Sequence, residues 1–197
     1  MNEETLLAGP GSGKTRVVTR RVAYLLHLGI HPSNILAITF TNKAAGEMKS
    51  RVEALMPGSR VWMSTFHALG ARLLRQYATD IGLDKNFTIY DQTDRLRVVK
   101  MALENAGIDP GRFTPEGVMG AISKAKNELL SPKRYNELAK DFFTKMVAKV
   151  YPVYEEVLHG ANGMDFDDLL YLPALVLKNN EDIRAELDSR FRYVLID

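Results

Sequence analysis

The residues Ala8-Gly9-Pro10-Gly11-Ser12-Gly13-Lys14-Thr15 have the types and spacing to hold a polyphosphate. Gly9, Gly11 and Gly13 let the backbone turn its N–H groups inward, through conformations that a Cβ penalises. Lys14 offers a point charge to the β- and γ-phosphates of a nucleoside triphosphate, and Thr15 offers a hydroxyl to Mg²⁺. The usual phosphate loop is G-x-x-x-x-G-K-[ST]. Alanine stands first here, which leaves the turn, the charge and the hydroxyl in place. A glycine-rich turn with a chance lysine is the alternative. An apolar strand predicted at Thr5–Ala8 and a helix predicted from about Thr15 argue for the phosphate loop, because the helix N-terminus adds its dipole.

Two further segments carry groups suited to a ligand. "TFTNK" follows the apolar run Ile35–Thr39, and "STFH" ends the run Arg60–Thr65. Each places a phenylalanine, Phe40 or Phe66, beside small hydroxyl residues, with Thr41, Asn42, Lys43, Thr65 and His67 close by. Hydroxyls, amides and a lysine suit phosphate contacts, and aromatic faces suit bases. In an open parallel sheet, ligands collect beyond the carboxyl ends of the strands, where both segments fall. A track for single-stranded nucleic acid is one reading. A core phenylalanine and a capping histidine are the other, and composition leaves both open.

The elements that must position these groups follow from periodicity. Val18, Val22, Leu25 and Leu26 lie on one helical face, closed by Gly29 and Pro32. "ILAIT" is a continuous β-branched run, as in a parallel strand buried on both faces. "NKAAGEMKSRVEALM" is helical up to Pro57-Gly58, and Phe66 to about Asp80 is helical again. From Gly82 to about Asn180 helices dominate, with "FTIYD" an extended exception. Asp91, Thr114-Pro115 and Ser131-Pro132 are cap signals. Pro152 and Pro173 should kink or divide their helices. "FRYVLID" returns to a buried strand. The pattern predicts an α/β fold, a parallel sheet with an inserted helical subdomain: residues 1–69 plus 179–197 for the sheet domain, and 70–178 for the insert.

Composition sets bounds. The 197 residues are 46% hydrophobic and 25% charged, with net charge +2, so any nucleic-acid contact is local. There is no cysteine, which excludes disulfides and zinc fingers. No apolar run reaches a transmembrane length and no cleavable signal pattern opens the chain, so a cytoplasmic protein is the expectation.

The segments "AGPGSGKTRVVTRRVAYLL", "ILAITFTNKAAGEMKSRV", "WMSTFHALGARLLRQY", "FTIYDQTDRLRVVK", "MDFDDLL" and "RYVLID" occur in the order and at about the spacing of the UvrD/PcrA/Rep-like superfamily I DNA helicases, which the chain resembles over essentially its whole length. The resemblance implies a P-loop, RecA-like motor domain with its helical insert, using ATP and Mg²⁺ and moving 3′-to-5′ along single-stranded DNA. Position by position, Ala8–Thr15 match the ATP loop and Thr39–Ala45 the segment coupled to single-stranded DNA, with Phe40 stacking on a base. Ser64–His67 match the next DNA-contact motif. Asp165–Leu169 match "DFDDL", also linked to DNA, so Asp165 and Phe166 join the DNA-binding candidates. Asp167 and Asp168 resemble a metal or acid/base pair, but helix capping and hydrogen bonding to nearby backbone is the preferred reading. Asp197 matches the Walker B aspartate, a Mg²⁺ ligand through water, and with Lys14 forms the catalytic pair.

In the family a glutamate that polarises water follows that aspartate, and a second motor domain supplies arginines to the γ-phosphate. With neither among the 197 residues, the polypeptide alone is expected to hydrolyse little ATP, since an arginine finger is worth roughly 10³–10⁵ in rate. It is also expected to be part of a longer protein. Lys124, Lys126, Lys133 and Arg134 form a mildly basic stretch that either touches the duplex or is a solvated helix face. A weak nucleotide- or DNA-binding module without turnover is the second reading. A small-molecule kinase is the third, and it lacks a lid and acceptor-binding residues.

Overall fold

The computed structural model describes residues 13–109 and 111–197. The strand predicted at Thr5–Ala8 and the loop positions Ala8, Gly9, Pro10, Gly11 and Ser12 lie outside them. In chain order the elements are α1 (Lys14–His27), β1 (Ile35–Thr39), α2 (Asn42–Leu55), β2 (Trp62–Thr65), α3 (Phe66–Gln76), β3 (Thr88–Ile89) and α4 (Gln92–Asn105). Then come α5 (Pro115–Asn127), α6 (Pro132–Leu138), α7 (Phe142–Gly160), β4 (Gly163–Met164), α8 (Asp168–Asn179), α9 (Glu181–Arg190) and β5 (Tyr193–Ile196). The result is a mixed helix–strand fold with small parallel sheets.

The chain forms two compact units. One runs to Leu69 and resumes at Asn180–Asp197; the other is Gly70–Asn179. In the first unit β1 is the middle strand, paired in parallel with β2 and with β5. All five residues of β1 are buried, as a β-branched run covered on both faces requires. Val22 and Leu25 of α1, Met48 and Val52 of α2, and Ile35, Ala37 and Met63 of the strands make the core. Thr41 caps α2, its hydroxyl accepting from the Ala44 N–H at 3.1 Å. The final strand corrects the expectation of full burial: Val194 and Ile196 of β5 are exposed while Tyr193 and Leu195 are half-buried. Among the described residues β5 pairs with β1 alone, so it has the alternation of an edge.

The second unit is mostly helical. Its core is built from Val99 and Leu103 of α4, Ile122 of α5, and Val147, Val150, Tyr151, Tyr154 and Leu158 of α7. Asp91 and Asp94 form a reciprocal capping box on α4, and Thr114 and Ser131 cap α5 and α6 ahead of their prolines. Pro152 and Pro173 do not divide their helices; α7 and α8 each run through them. β3, within the predicted extended segment, pairs in parallel with β4, which periodicity did not reveal. Gly70 explains a close approach: a Cβ there would lie 1.8 Å from the Leu169 carbonyl oxygen. No helix among the described residues is long and apolar enough to cross a membrane.

Candidate nucleotide and nucleic-acid site

β1 and β2 are in register at Thr39 and Thr65, so the next residues, Phe40 and Phe66, leave the same edge of the sheet side by side. Their ring centroids are 5.1 Å apart at an interplanar angle of 49°. Phe40 is 74% exposed, an unusual position for a phenylalanine already in contact with another ring. Thr65 is buried and its hydroxyl accepts from the Ala68 N–H at 3.2 Å, which starts α3 and fixes Phe66 and His67 in its first turn. Asn42 and Lys43 open α2 and are exposed, as is its capping Thr41.

The same edge receives α1. Its N-cap, Gly13, has φ +86°, a left-handed conformation that glycine adopts without penalty. Lys14 and Thr15 then occupy the first turn. The Thr15 hydroxyl lies 2.8 Å and 3.0 Å from the two carboxylate oxygens of Asp197, across 182 residues of sequence. Asp197 is held in turn by its own N–H, which donates to the Ile38 carbonyl at 2.9 Å and extends the β1–β5 ladder. The first and last motifs of the chain therefore meet. A hydroxyl and a carboxylate at a helix N-terminus are hard oxygen donors, the kind Mg²⁺ takes alongside phosphates and water.

The second unit treats its acidic motif differently. Asp165 is fully buried, so it cannot touch DNA. Its Oδ1 accepts from the Asp168 N–H at 2.8 Å, and Asp168 Oδ2 accepts from the Asp165 N–H at 3.0 Å. The two reciprocal bonds close the turn that leads into α8. Lys126 Nζ stands among Asp168 at 2.6 Å, Glu155 at 2.8 Å and Asp165 at 3.1 Å, with no side-chain exposure. The basic-face reading thus fails for Lys126, while Lys124, Lys133 and Arg134 are exposed. Asp167 accepts from Arg95 at 2.7 Å and from the Ser123 hydroxyl at 2.6 Å. The Tyr154 hydroxyl donates to Asp165 at 2.6 Å. Phe166, between these anchored carboxylates, is 48% exposed.

Electrostatics agree with the geometry. Burial by itself would lower the Lys126 pKa, but Asp168, Asp165 and Glu155 hold it well above the usual lysine value. Burial pushes against ionisation of Asp168, yet His159 and Lys126 bring its carboxyl down to about 2. Burial raises Glu155. The hydrogen bond to Asp168 raises His159, against the opposing effect of its burial. Glu155, His159 and Asp168 have ligand atoms within 4.8 Å of one another, as a metal site would. The Lys126 ammonium already supplies a cation to two of the three. Sequence reasoning missed Arg95, Ser123, Tyr154, Glu155 and His159. They are distant in sequence from the acidic motif, and only the fold brings them to it.

Parallel strands that gather a hydroxyl, a carboxylate and paired aromatics at one edge define an α/β protein with a ligand edge at its strand ends. The family model for the UvrD/REP helicase N-terminal domain matches residues 2–197, and the chain belongs to that family. It is 46% identical over 195 residues to the ATP-dependent DNA helicase PcrA of Staphylococcus epidermidis strain RP62A, covering 98% of this chain and 27% of that protein. It is 44% identical over 195 residues to the ATP-dependent DNA helicase PcrA of Staphylococcus aureus strain Mu50, with the same coverage. The chain thus spans about a quarter of the length of these relatives.

Proposed function

We propose that this chain is the ATP- and single-stranded-DNA-binding portion of an ATP-dependent 3′-to-5′ DNA helicase. In this reading residues 1–69 with 179–197 are a RecA-like motor domain, and 70–178 its helical insert. The observation that supports it most is the contact of Thr15 with Asp197 at the sheet edge that also bears Phe40 and Phe66. Ala8, Gly9, Pro10, Gly11, Ser12 and Gly13 are the phosphate loop in this reading, whose backbone N–H groups (Pro10 has none) would donate to the phosphates, and Lys14 would neutralise charge on the β- and γ-oxygens. Thr15 and Asp197, the latter through water, would hold Mg²⁺, which would supply positive charge to offset that developing on the phosphate. Phe40 offers a stacking face to a base, and Phe66 backs it. Thr41, Asn42, Lys43, Thr65 and His67 of the sheet unit would contact DNA, and within the helical unit Phe166 of the acidic motif is a further DNA contact in this reading.

Duplex unwinding belongs to the longer protein, in which a second motor domain closes on the nucleotide and a glutamate polarises the attacking water. The 197-residue polypeptide by itself binds both ligands with little turnover. Two titrations test this. With a fluorescent ATP analogue and Mg²⁺, Lys14→Ala and Asp197→Ala should each weaken binding roughly tenfold or more, since each removes a charge from phosphate or metal. With a labelled oligonucleotide, Phe40→Ala should weaken binding roughly tenfold, the worth of one base stack. Unchanged affinity in both titrations would refute the proposal.

A further inference from the structure

We infer that Lys126 is a positioning residue: an internal cation that stands where a metal ion would, and locks the 163–168 segment so that Phe166 is turned outward. Three contacts fix the ammonium, to Asp168 at 2.6 Å, Glu155 at 2.8 Å and Asp165 at 3.1 Å. They draw in α7 through Glu155 and the start of α8 through Asp168, while Lys126 itself belongs to α5. Arg95 of α4 completes the clamp from the other side, 3.5 Å from Asp165 and 2.7 Å from Asp167. The residues on either side of Phe166 are therefore pinned by inward-facing ion pairs. Phe166, between them, is 48% exposed.

The ammonium behaves as a bound ion for a chemical reason. Its alkyl stem is covered, it lies 5.2 Å from the Tyr154 ring centroid, and it has no exposed side-chain surface. Four carboxylates, Glu155, Asp165, Asp167 and Asp168, converge on Lys126 and Arg95. Without the lysine, Asp165 and Asp168 face each other across a buried turn, and like charges that close repel. The segment must then shift to let water or a counter-ion in. Glu155, His159 and Asp168 would remain as a ready set of ligands for a divalent cation.

The experiment uses the 197-residue chain carrying Trp62→Phe and Phe166→Trp, which moves the sole tryptophan to the segment in question. Emission maximum and acrylamide quenching then report how the indole at position 166 is held. Lys126→Ala and Lys126→Met should shift the emission to shorter wavelength and lower quenching at least twofold, as the indole is no longer held outward, while far-UV dichroism stays native. In the Lys126→Ala protein, Co²⁺ should restore the original emission and bring up a visible absorption band. Adding His159→Gln should abolish both effects. If neither Lys126 variant folds, Asp168→Asn supplies the same emission test, because it keeps the volume and removes one partner of the ammonium. A folded variant with unchanged emission would overturn the inference, as would a shift that Co²⁺ cannot reverse in the presence of His159.

The inference rests on the proposed function only for its DNA readout, in which Lys126→Met should reproduce the loss of oligonucleotide affinity caused by Phe166→Ala. If the unaltered chain binds no oligonucleotide, the functional reading fails, and the emission and Co²⁺ results still decide the role of Lys126.

Discussion

Two aspartates, one in each unit, show how differently the same side chain can be used. Asp197 sits half-buried at the end of β5, its carboxylate met by the Thr15 hydroxyl. Asp165 is sealed inside the helical unit, where Lys126, Arg95, the Tyr154 hydroxyl and the Asp168 N–H all converge on it. The first keeps a partly exposed carboxylate beside a hydroxyl. The second is fully spoken for and acts on the chain itself. Both stand in short acidic motifs that look equally chemical in one dimension. What separates them is the supply of cations, which for Asp165 arrives from α4 and α5.

The sharpest way to break this contrast is to remove each carboxylate. Asp165→Ala leaves Lys126 and Arg95 short of a partner in a buried site, and should destabilise the protein by about 3–5 kcal/mol in urea unfolding. Asp197→Ala should change unfolding by no more than about 0.5 kcal/mol. Comparable losses from the two would erase the distinction.

Packing around glycines extends it. Gly70→Ala, in the helical unit, drives a Cβ into the Leu169 carbonyl and should cost about 1–3 kcal/mol. In α2 of the sheet unit, a Cβ at Gly46 meets nothing within 4 Å, so Gly46→Ala should stabilise by about 0.5–1 kcal/mol, measured by the same titration.

The smallest expected effect is a pH dependence at His159. Its pKa is raised in the folded protein by the hydrogen bond to Asp168, so its stabilising contribution is complete below the unfolded value of about 6.5. That contribution disappears as pH rises through the folded value. The Tm difference between the unaltered protein and His159→Gln should be largest near pH 5 and fade in alkaline buffer. Asp168 acts in the opposite sense, since its lowered pKa gives stability above about 4 that is lost as pH falls toward about 2. A Tm difference that is flat with pH would remove His159 from the cluster.

Much of the fold was legible. The burial of Ile35–Thr39, the caps at Asp91, Thr114 and Ser131, and the helix ends at Gly29 and Pro57 are written in local chemistry. The pairing of Thr15 with Asp197 was not written there, nor was β4. Both depend on partners far along the chain, and a two-residue strand has no periodicity to detect. Lys126 was misread because it stands in a basic stretch with Lys124 of α5 and Lys133 and Arg134 of α6, all exposed. Its place on the buried face of that helix, with Val118, Ile122 and Ala125, becomes telling only once carboxylates are known to lie opposite. For Asp168 the preferred reading of hydrogen bonding to nearby backbone holds, its carboxylate accepting from the Asp165 N–H; the ion pairs that surround it were not legible.

The pairing of β1 with β5 joins segments far apart in the chain, Ile35 opposite Tyr193. Helices α4 to α7 lie wholly between those strands in sequence, so their contacts close shorter loops and can form while the sheet still awaits its outer member. The edge carrying Thr15 gains its carboxylate only when the final described strand docks.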